Sequence, residues 1–282
     1  MSASLRDVRD EGGEVVAVES LGGGMVEISA RLPHLAATAQ PGQFAQLRCG
    51  DSITPLLRRP FSIAWTHGDI ANFVLAPVGV GTRILASLSP GDPLVALGPL
   101  GHGFTVDTVA THALCVSGGL GCAPFPLLIR ALRAGGAREV TVVSGAATAE
   151  LLYPPQRFAR GDAGVRVIEL TVDGSRGSSG LVTAAVPGRC DPATSIYACG
   201  PNPMLAALAG TIEQGRLRPL LAEASLEAPM GCGYGTCLGC ALPARGADGT
   251  ADWALCCRQG PVMAIDAVDW DELMRLPPAH VA

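Results

Sequence analysis

The sequence predicts an α+β chain of three modules: an antiparallel β-barrel, an α/β domain wound on a parallel sheet, and a C-terminal segment that carries clustered cysteines. Three observations carry that expectation. Short apolar stretches broken by Gly and Pro run from about residue 14 to 104. A grammar of strand, glycine turn, helix and strand takes over near residue 109. Finally, "MGCGYGTCLGC" packs three cysteines and four glycines into positions 230–240. The modules expected are residues 10–106, 107–219 and 220–282.

In the first module "EVVAVES", "MVEISARL", "GQFAQLRC", "PFSIAW", "NFVLAPV" and "DPLVALGPLG" read as short strands, and their spacing suits a small antiparallel barrel. Ile84, Leu85 and Leu88 interrupt them at helical spacing, which predicts one short helix. The stretch "HALCVSGGLGCAPFPLLIRALRAGGAREVTVVSGA" is a βαβ unit, and "GVRVIELTVDG" and "SIYACGPNPMLAALAGTIEQG" continue the alternation into a parallel sheet. The remainder holds the cysteine loop, a polar insert, the pair Cys256 and Cys257, and the tail "VDWDELMRL".

Composition narrows the function. Hydrophobic residues at 48% and charged residues at 16%, with 36 Gly and 22 Pro, describe a globular chain rich in turns. A formal charge of -5 without a Lys/Arg run excludes a nucleic-acid footprint. Residues 6–11 are crowded with charge where a signal peptide needs its apolar core, and no apolar run is long enough for a membrane span, so a cytoplasmic protein is expected. In a reducing compartment the ten cysteines are poor disulfide formers, and the clustered ones read as metal ligands. Scattered Cys49, Cys115, Cys122 and Cys190 read as small buried hydrophobes.

Cys232, Cys237 and Cys240 follow C-x4-C-x2-C, with Cys256 and Cys257 sixteen and seventeen positions after Cys240. This is the plant-type 2Fe-2S spacing. Gly231, Gly233, Gly235 and Gly239 suit it, because a negatively charged cluster needs backbone N–H donors at close range and a chain free to curl around it. A structural zinc site is the weaker alternative, since the first gap is four residues and no His lies nearby. Adjacent side chains point to opposite sides of an extended chain, so one of Cys256 and Cys257 supplies the fourth thiolate, and spacing leaves open which.

"LLRRPFSIAW" sets Arg58 and Arg59 beside Pro60, Phe61 and Ser62, a cation next to an aromatic ring and a hydroxyl. Such a string holds a phosphate, stacks on a flat ring and bonds its edge. "GVGTRIL" then puts Gly79, Gly81 and Thr82 at a helix start that favours a second phosphate, so the pair of elements suggests a dinucleotide flavin. In the α/β domain, Gly118, Gly119 and Gly121 and the strand end Cys199-Gly200-Pro201 are two glycine turns at the carboxyl ends of strands, where α/β sheets bind ligands. His102 in "GPLGHGF" reads as a solvent-facing loop residue.

On these strings, from "PGQF" and "LRRPFSI" through "SGGLGCAPFPLL" and "ACGPNPML" to "CRQGPV", the chain resembles the ferredoxin reductase superfamily, and within it the electron-transfer subunits of NAD-linked dihydroorotate dehydrogenases. The resemblance implies FAD held by Arg59, Pro60, Phe61 and Ser62, by the strand Val74, Leu75 and Ala76, and by Gly81 and Thr82. Leu75 and Ala76 stand where that family often has Tyr and Arg, which leaves backbone contact there. It implies NAD or NADP between the two glycine turns, with Cys199 lining the place where nicotinamide meets flavin. It favours Cys257 as fourth ligand, because Cys257-Arg258-Gln259-Gly260-Pro261-Val262 matches a family string of Cys, two acids and Gly-Pro-Val, from which Arg258 and Gln259 depart. The implied activity is electron transfer in pyrimidine biosynthesis, between NAD and the FMN of a separate dihydroorotate dehydrogenase catalytic subunit in a hetero-oligomer. A related iron-sulfur flavoprotein subunit, of the ferredoxin:NADP oxidoreductase or hydrogenase type, is the alternative. Met230, Tyr234 and Leu238 are expected at the partner-facing surface.

Overall fold

A computed structural model describes residues 7–50, 53–106, 110–246 and 248–276. The module boundary expected at residue 107 lies outside the described residues. Six antiparallel strands close into a barrel: β1 (Arg9–Gly22), β2 (Met25–Arg31), β3 (Phe44–Leu47), β4 (Arg59–His67), β5 (Ile70–Leu75) and β6 (Pro93–Leu100), in the order β1-β2-β5-β4-β3-β6. Alternation along the strands fills the interior with Val15, Ile28, Ala45, Leu47, Ile63, Phe73, Leu75 and Leu94. A helix, α1 (Pro33–Thr38), covers one barrel end, and Glu11 accepts from the free N–H groups of His34 and Leu35 at 2.9 Å each. The short helix expected near Ile84 is α2 (Val80–Ala86).

The second half is a sheet whose central strands are buried along nearly their whole length and mostly apolar, because helices cover both faces. It contains β7 (His112–Gly118), β8 (Glu139–Ala146), β9 (Val165–Thr171), β10 (Ser178–Ser179), β11 (Thr194–Cys199) and β12 (Leu221–Ser225), all running parallel. Its helices are α3 (Phe125–Ala134), α4 (Pro155–Ala159), α5 (Val182–Ala185) and α6 (Asn202–Glu213). The cysteine loop leaves the end of β12 and leads into a hairpin, β13 (Ala241–Arg245) and β14 (Ala251–Leu255). The chain then returns as β15 (Val262–Ala264), antiparallel to β12, before the last helix α7 (Trp270–Arg275). The sheet order is therefore β10-β9-β8-β7-β11-β12-β15, and the cysteine segment is sewn into it on both sides of its loop.

The barrel meets this sheet through charge and aromatic contacts. The guanidinium groups of Arg130 on α3 and Arg160 after α4 both lie over the ring of Trp65 on β4, 4.4 and 4.2 Å from its centre. Arg130 also donates to the Thr66 hydroxyl at 2.8 Å. Arg157 on α4 reaches Glu27 on β2 at 2.9 Å and also pairs with Glu19 on β1. No helix among the described residues is long and apolar enough to cross a membrane.

Candidate functional site

Two clefts meet where barrel and sheet face one another. The first, about 170 Å³, is lined from the barrel by Pro60, Phe61 and Ser62 of β4, Val74 and Leu75 of β5, and Ala76 and Thr82, and from the sheet by Cys199, Ser225 and Glu227. Arg59 lies just beyond it, its Nη1 donating to the carbonyls of Leu57 at 2.9 Å and Arg58 at 3.2 Å. A Cβ built on Gly81 would fall 3.3 Å from Arg59 Cγ, so the guanidinium arm runs across the first turn of α2. Of the expected barrel residues, Pro60, Phe61, Ser62, Val74, Leu75, Ala76 and Thr82 thus form one wall, with Arg59 and Gly81 packed together just behind it. Arg58 points away and is held by Asp10 through two bonds of 2.7 and 2.8 Å, and that bonding also lowers the Asp10 carboxyl below its ordinary range.

The second cleft, about 480 Å³, opens over the carboxyl ends of the parallel strands and is lined by Gly118, Gly119, Gly145, Ala146, Pro201 and Met204 among others. Ala76 and Leu120 line both clefts, so the two share a wall. Gly121 lines neither. A Cβ there would sit 2.1 Å from the Cys199 carbonyl oxygen, so glycine is required for the turn after β7 to close on the end of β11. Gly200 likewise packs behind the surface, against Met204 and the Gly118 amide. Burial pushes the Cys199 thiol up to about 12, which keeps it neutral at the cleft wall.

Glu227 and Ser225 were not visible as site residues in the sequence. The parallel ladder sets Ser225 directly across from Cys199, and Glu227 follows two residues later on the wall of the smaller cleft. Glu227 is exposed as a residue and lines the cleft, and the protein packed near its carboxyl raises that group above the ordinary value by desolvation. No motif marks a residue whose neighbours come from strand pairing.

The cysteine loop and the turn after β14 set the four expected sulfurs in two pairs. Cys240 Sγ and Cys257 Sγ are 3.2 Å apart, too far for a disulfide, and the Cys257 amide points at Cys240 Sγ at 3.4 Å. At the other end Cys232 Sγ accepts from the amides of Thr236 at 3.3 Å and Cys237 at 3.5 Å. Burial works against ionisation of Cys232, yet the N–H groups of Tyr234, Cys237 and Thr236 outweigh it and bring the thiol down to about 6. Cys257 is pushed up to about 12 by burial and by the sulfurs of Cys240 and Cys232. Among the described residues no three His, Cys, Asp or Glu side chains converge as on a single metal ion. The sulfurs instead fall into two pairs, Cys232 with Cys237 and Cys240 with Cys257. Crowded thiols with loop amides aimed at them fit a binuclear group that brings positive charge and takes two thiolates at each metal. Cys256 faces the other way, fully buried, its thiol donating to the Leu226 carbonyl at 3.5 Å.

Around the loop, Tyr234 and Leu238 are exposed, at 46% and 62%, while Met230 is half-buried against the core. Arg258 packs on Gly235, and Gln259 closes the turn after β14 by accepting from the Leu255 amide at 2.7 Å. His102 sits in the loop expected for it, at intermediate burial, and its amide donates to the Gly260 carbonyl at 2.5 Å and ties the barrel to the chain just after Cys257.

Comparison with known proteins agrees with this layout. A family described as the iron-sulfur cluster binding domain of dihydroorotate dehydrogenase B matches residues 227–269. The electron transfer subunit of dihydroorotate dehydrogenase B (NAD(+)) from Bacillus mycoides (strain KBAB4) is 36% identical over 81% of this chain and 86% of its own. The subunit of the same name from Lysinibacillus sphaericus (strain C3-41) is 35% identical over 90% of this chain and 96% of its own. Among solved structures, an NADH-dependent reduced ferredoxin-NADP oxidoreductase superposes with a TM-score of 0.80 at 26% identity, covering 93% of this chain and 91% of that one. The ferredoxin reductase of a carbazole 1,9a-dioxygenase, at 22% identity and a TM-score of 0.64 over 75% of this chain and 69% of that one, shares the fold. With a barrel, a glycine-turned sheet and a four-cysteine loop in one order, and relatives matched over most of their length, the chain belongs to the family of dihydroorotate dehydrogenase B electron transfer subunits.

Proposed function

We propose that this chain carries electrons between the flavin of a dihydroorotate dehydrogenase catalytic subunit and NAD, with FAD in the smaller cleft, nicotinamide in the larger and a 2Fe-2S cluster on Cys232, Cys237, Cys240 and Cys257. The observation that carries the reading is the shared wall of the two clefts, with the four-sulfur loop leaving the same sheet edge. When bound, FAD exchanges electron pairs as hydride with nicotinamide and single electrons with an iron-sulfur cluster.

The chain's own residues supply the rest. Arg59, lying across the start of α2, offers a charge to a diphosphate beside Gly81 and Thr82. Phe61 and Ser62 present a ring face and a hydroxyl, and Val74, Leu75 and Ala76 an apolar wall that keeps water out. Gly118, Gly119 and Pro201 let a flat ligand lie on backbone, next to the neutral Cys199 thiol. Thr236 and Cys237 amides hold negative charge on the Cys232 sulfur. The modules proposed for these roles are 10–106, 107–219 and 220–282. None of the ten cysteines is in a disulfide, which supports a cytoplasmic location.

A ferredoxin-linked reductase is the second reading, favoured by the TM-score of 0.80 to the ferredoxin-NADP oxidoreductase. Higher identity over most of the chain favours dihydroorotate dehydrogenase. Coexpression with a dihydroorotate dehydrogenase catalytic chain decides: a coeluting complex that reduces NAD with dihydroorotate is expected, and a chain that stays alone yet reduces ferredoxin rapidly overturns the first reading.

A further inference from the structure

We infer that Gln46 is a positioning residue between the flavin and cluster seats, its carboxamide N–H turned toward a sulfur of the cluster so that it raises the cluster's reduction potential. Gln46 is 0% exposed, and neither its Oε1 nor its Nε2 has a hydrogen-bond partner in the protein. A buried primary amide with both ends unpaired is rare, because each polar atom forfeits its water without return, and it points to a group the chain receives from outside.

The strand decides which way the amide faces. On β3, Ala45 and Leu47 fill the barrel interior, so Phe44 and Gln46 project from the outer face toward the sheet half. Phe44 lines the flavin-side cleft and packs in the core that includes Cys240 and Cys257. The cross-strand partner of Gln46 is Pro60, inside the flavin stretch. Its other neighbour is the cysteine loop. A Cβ on Gly233 would fall 2.7 Å from Gln46 Cγ and 2.9 Å from Nε2, so the amide fills the space a side chain at 233 would take, against the residue that follows Cys232. Pro60 has no N–H and Phe61 is apolar at its ring, whereas sulfurs held by the loop are acceptors with negative charge in need of donors. The carboxamide end lies where a side chain at 233 would stand, and a half-turn about its last bond presents either end to the loop, so acceptor sulfurs there select the N–H.

An N–H aimed at a cluster sulfur favours the reduced, more negative form, so its loss lowers the potential. This inference rests on the four-cysteine assignment proposed above. The test is a redox titration of the purified holoprotein, reading the paramagnetic signal of the reduced cluster and the flavin absorbance separately, for wild type, Gln46→Met and Gln46→Glu. Met keeps the length without the donor, and Glu replaces the donor by a charge. With iron and FAD contents unchanged, the ratio of reduced to oxidised cluster at a fixed potential should fall about tenfold in Gln46→Met, equivalent to about 59 mV for one electron, and further in Gln46→Glu. A cluster potential unchanged in both variants, or a shift confined to the flavin, overturns the inference. A variant that loses its cluster instead of shifting it assigns Gln46 a packing role and overturns it equally. A wild-type protein without the cluster signal overturns the four-cysteine reading itself, and this inference with it.

Discussion

Gly121 approaches Cys199 so closely that a Cβ on the glycine would stand 2.1 Å from the Cys199 carbonyl oxygen. The two glycine turns of the sheet are therefore one packed unit. Gly121→Ala forces β7 and β11 apart at their carboxyl ends, an overpacking that costs about 1 to 3 kcal/mol. A lower Tm and a fall in NADH oxidation with an artificial dye are expected, with iron content unchanged. Wild-type kinetics in that variant would show that the contact does not shape the nicotinamide cleft.

Ser at Cys232, Cys237, Cys240 or Cys257 should reduce iron and the visible absorption of the cluster, since each removes one thiolate. Cys256→Ala should leave both intact, because that thiol faces Leu226 on the opposite side of the chain. Iron analysis with absorption spectroscopy checks this, and bleaching by Cys256→Ala would reverse the assignment.

Arg59→Ala should loosen FAD by about 1.5 to 3 kcal/mol, the range of a charge-assisted contact, or about one to two decades of affinity. Arg58→Ala should have far less effect, because its partner is Asp10. FAD retained after dilution and gel filtration separates the two.

The Glu227 carboxyl is raised by desolvation, so the folded chain holds that proton more firmly than the unfolded chain does. Stability linked to Glu227 is therefore complete below the ordinary carboxyl range and declines as pH rises through the elevated folded value. Glu227→Gln removes the decline. The Tm of variant and wild type should coincide at low pH, with the variant increasingly above the wild type toward neutrality. A difference that is flat with pH would remove Glu227 from this account.

Tyr234 and Leu238 are large apolar side chains exposed beside Cys232 and Cys237. Tyr234→Glu should weaken the complex with the catalytic subunit in a coelution assay and leave NADH oxidation by dye untouched. Equal loss of both activities would mean that Tyr234 supports the loop itself.

What the sequence made legible were features whose parts are neighbours in the chain. The cysteine spacing, the string from Arg59 to Ser62 and the turns at Gly118 and Cys199 all lie within a few residues of one another, and each strand of the barrel carries its own alternation. What was hidden depended on pairing across the fold. β15 is three residues long and gives no periodic signal, so its place at the sheet edge could not be read. Glu227 gains its meaning from the register of β11 and β12, and Gln46 from Gly233. The tie from the His102 amide to Gly260 was equally hidden, because the two lie far apart along the chain.

The stitching of β12 and β15 onto one sheet also has a mechanical consequence. Cysteine loop and nicotinamide cleft ride on a single plate, whereas the flavin stretch belongs to the barrel, so a tilt between barrel and plate changes both distances that electrons must cross. That joint is held by the contacts of Arg130 and Arg160 with the Trp65 ring, and by Arg157 on Glu27. Those side chains line neither of the two clefts described above, so loosening them alters the spacing of barrel and plate without touching a cleft wall.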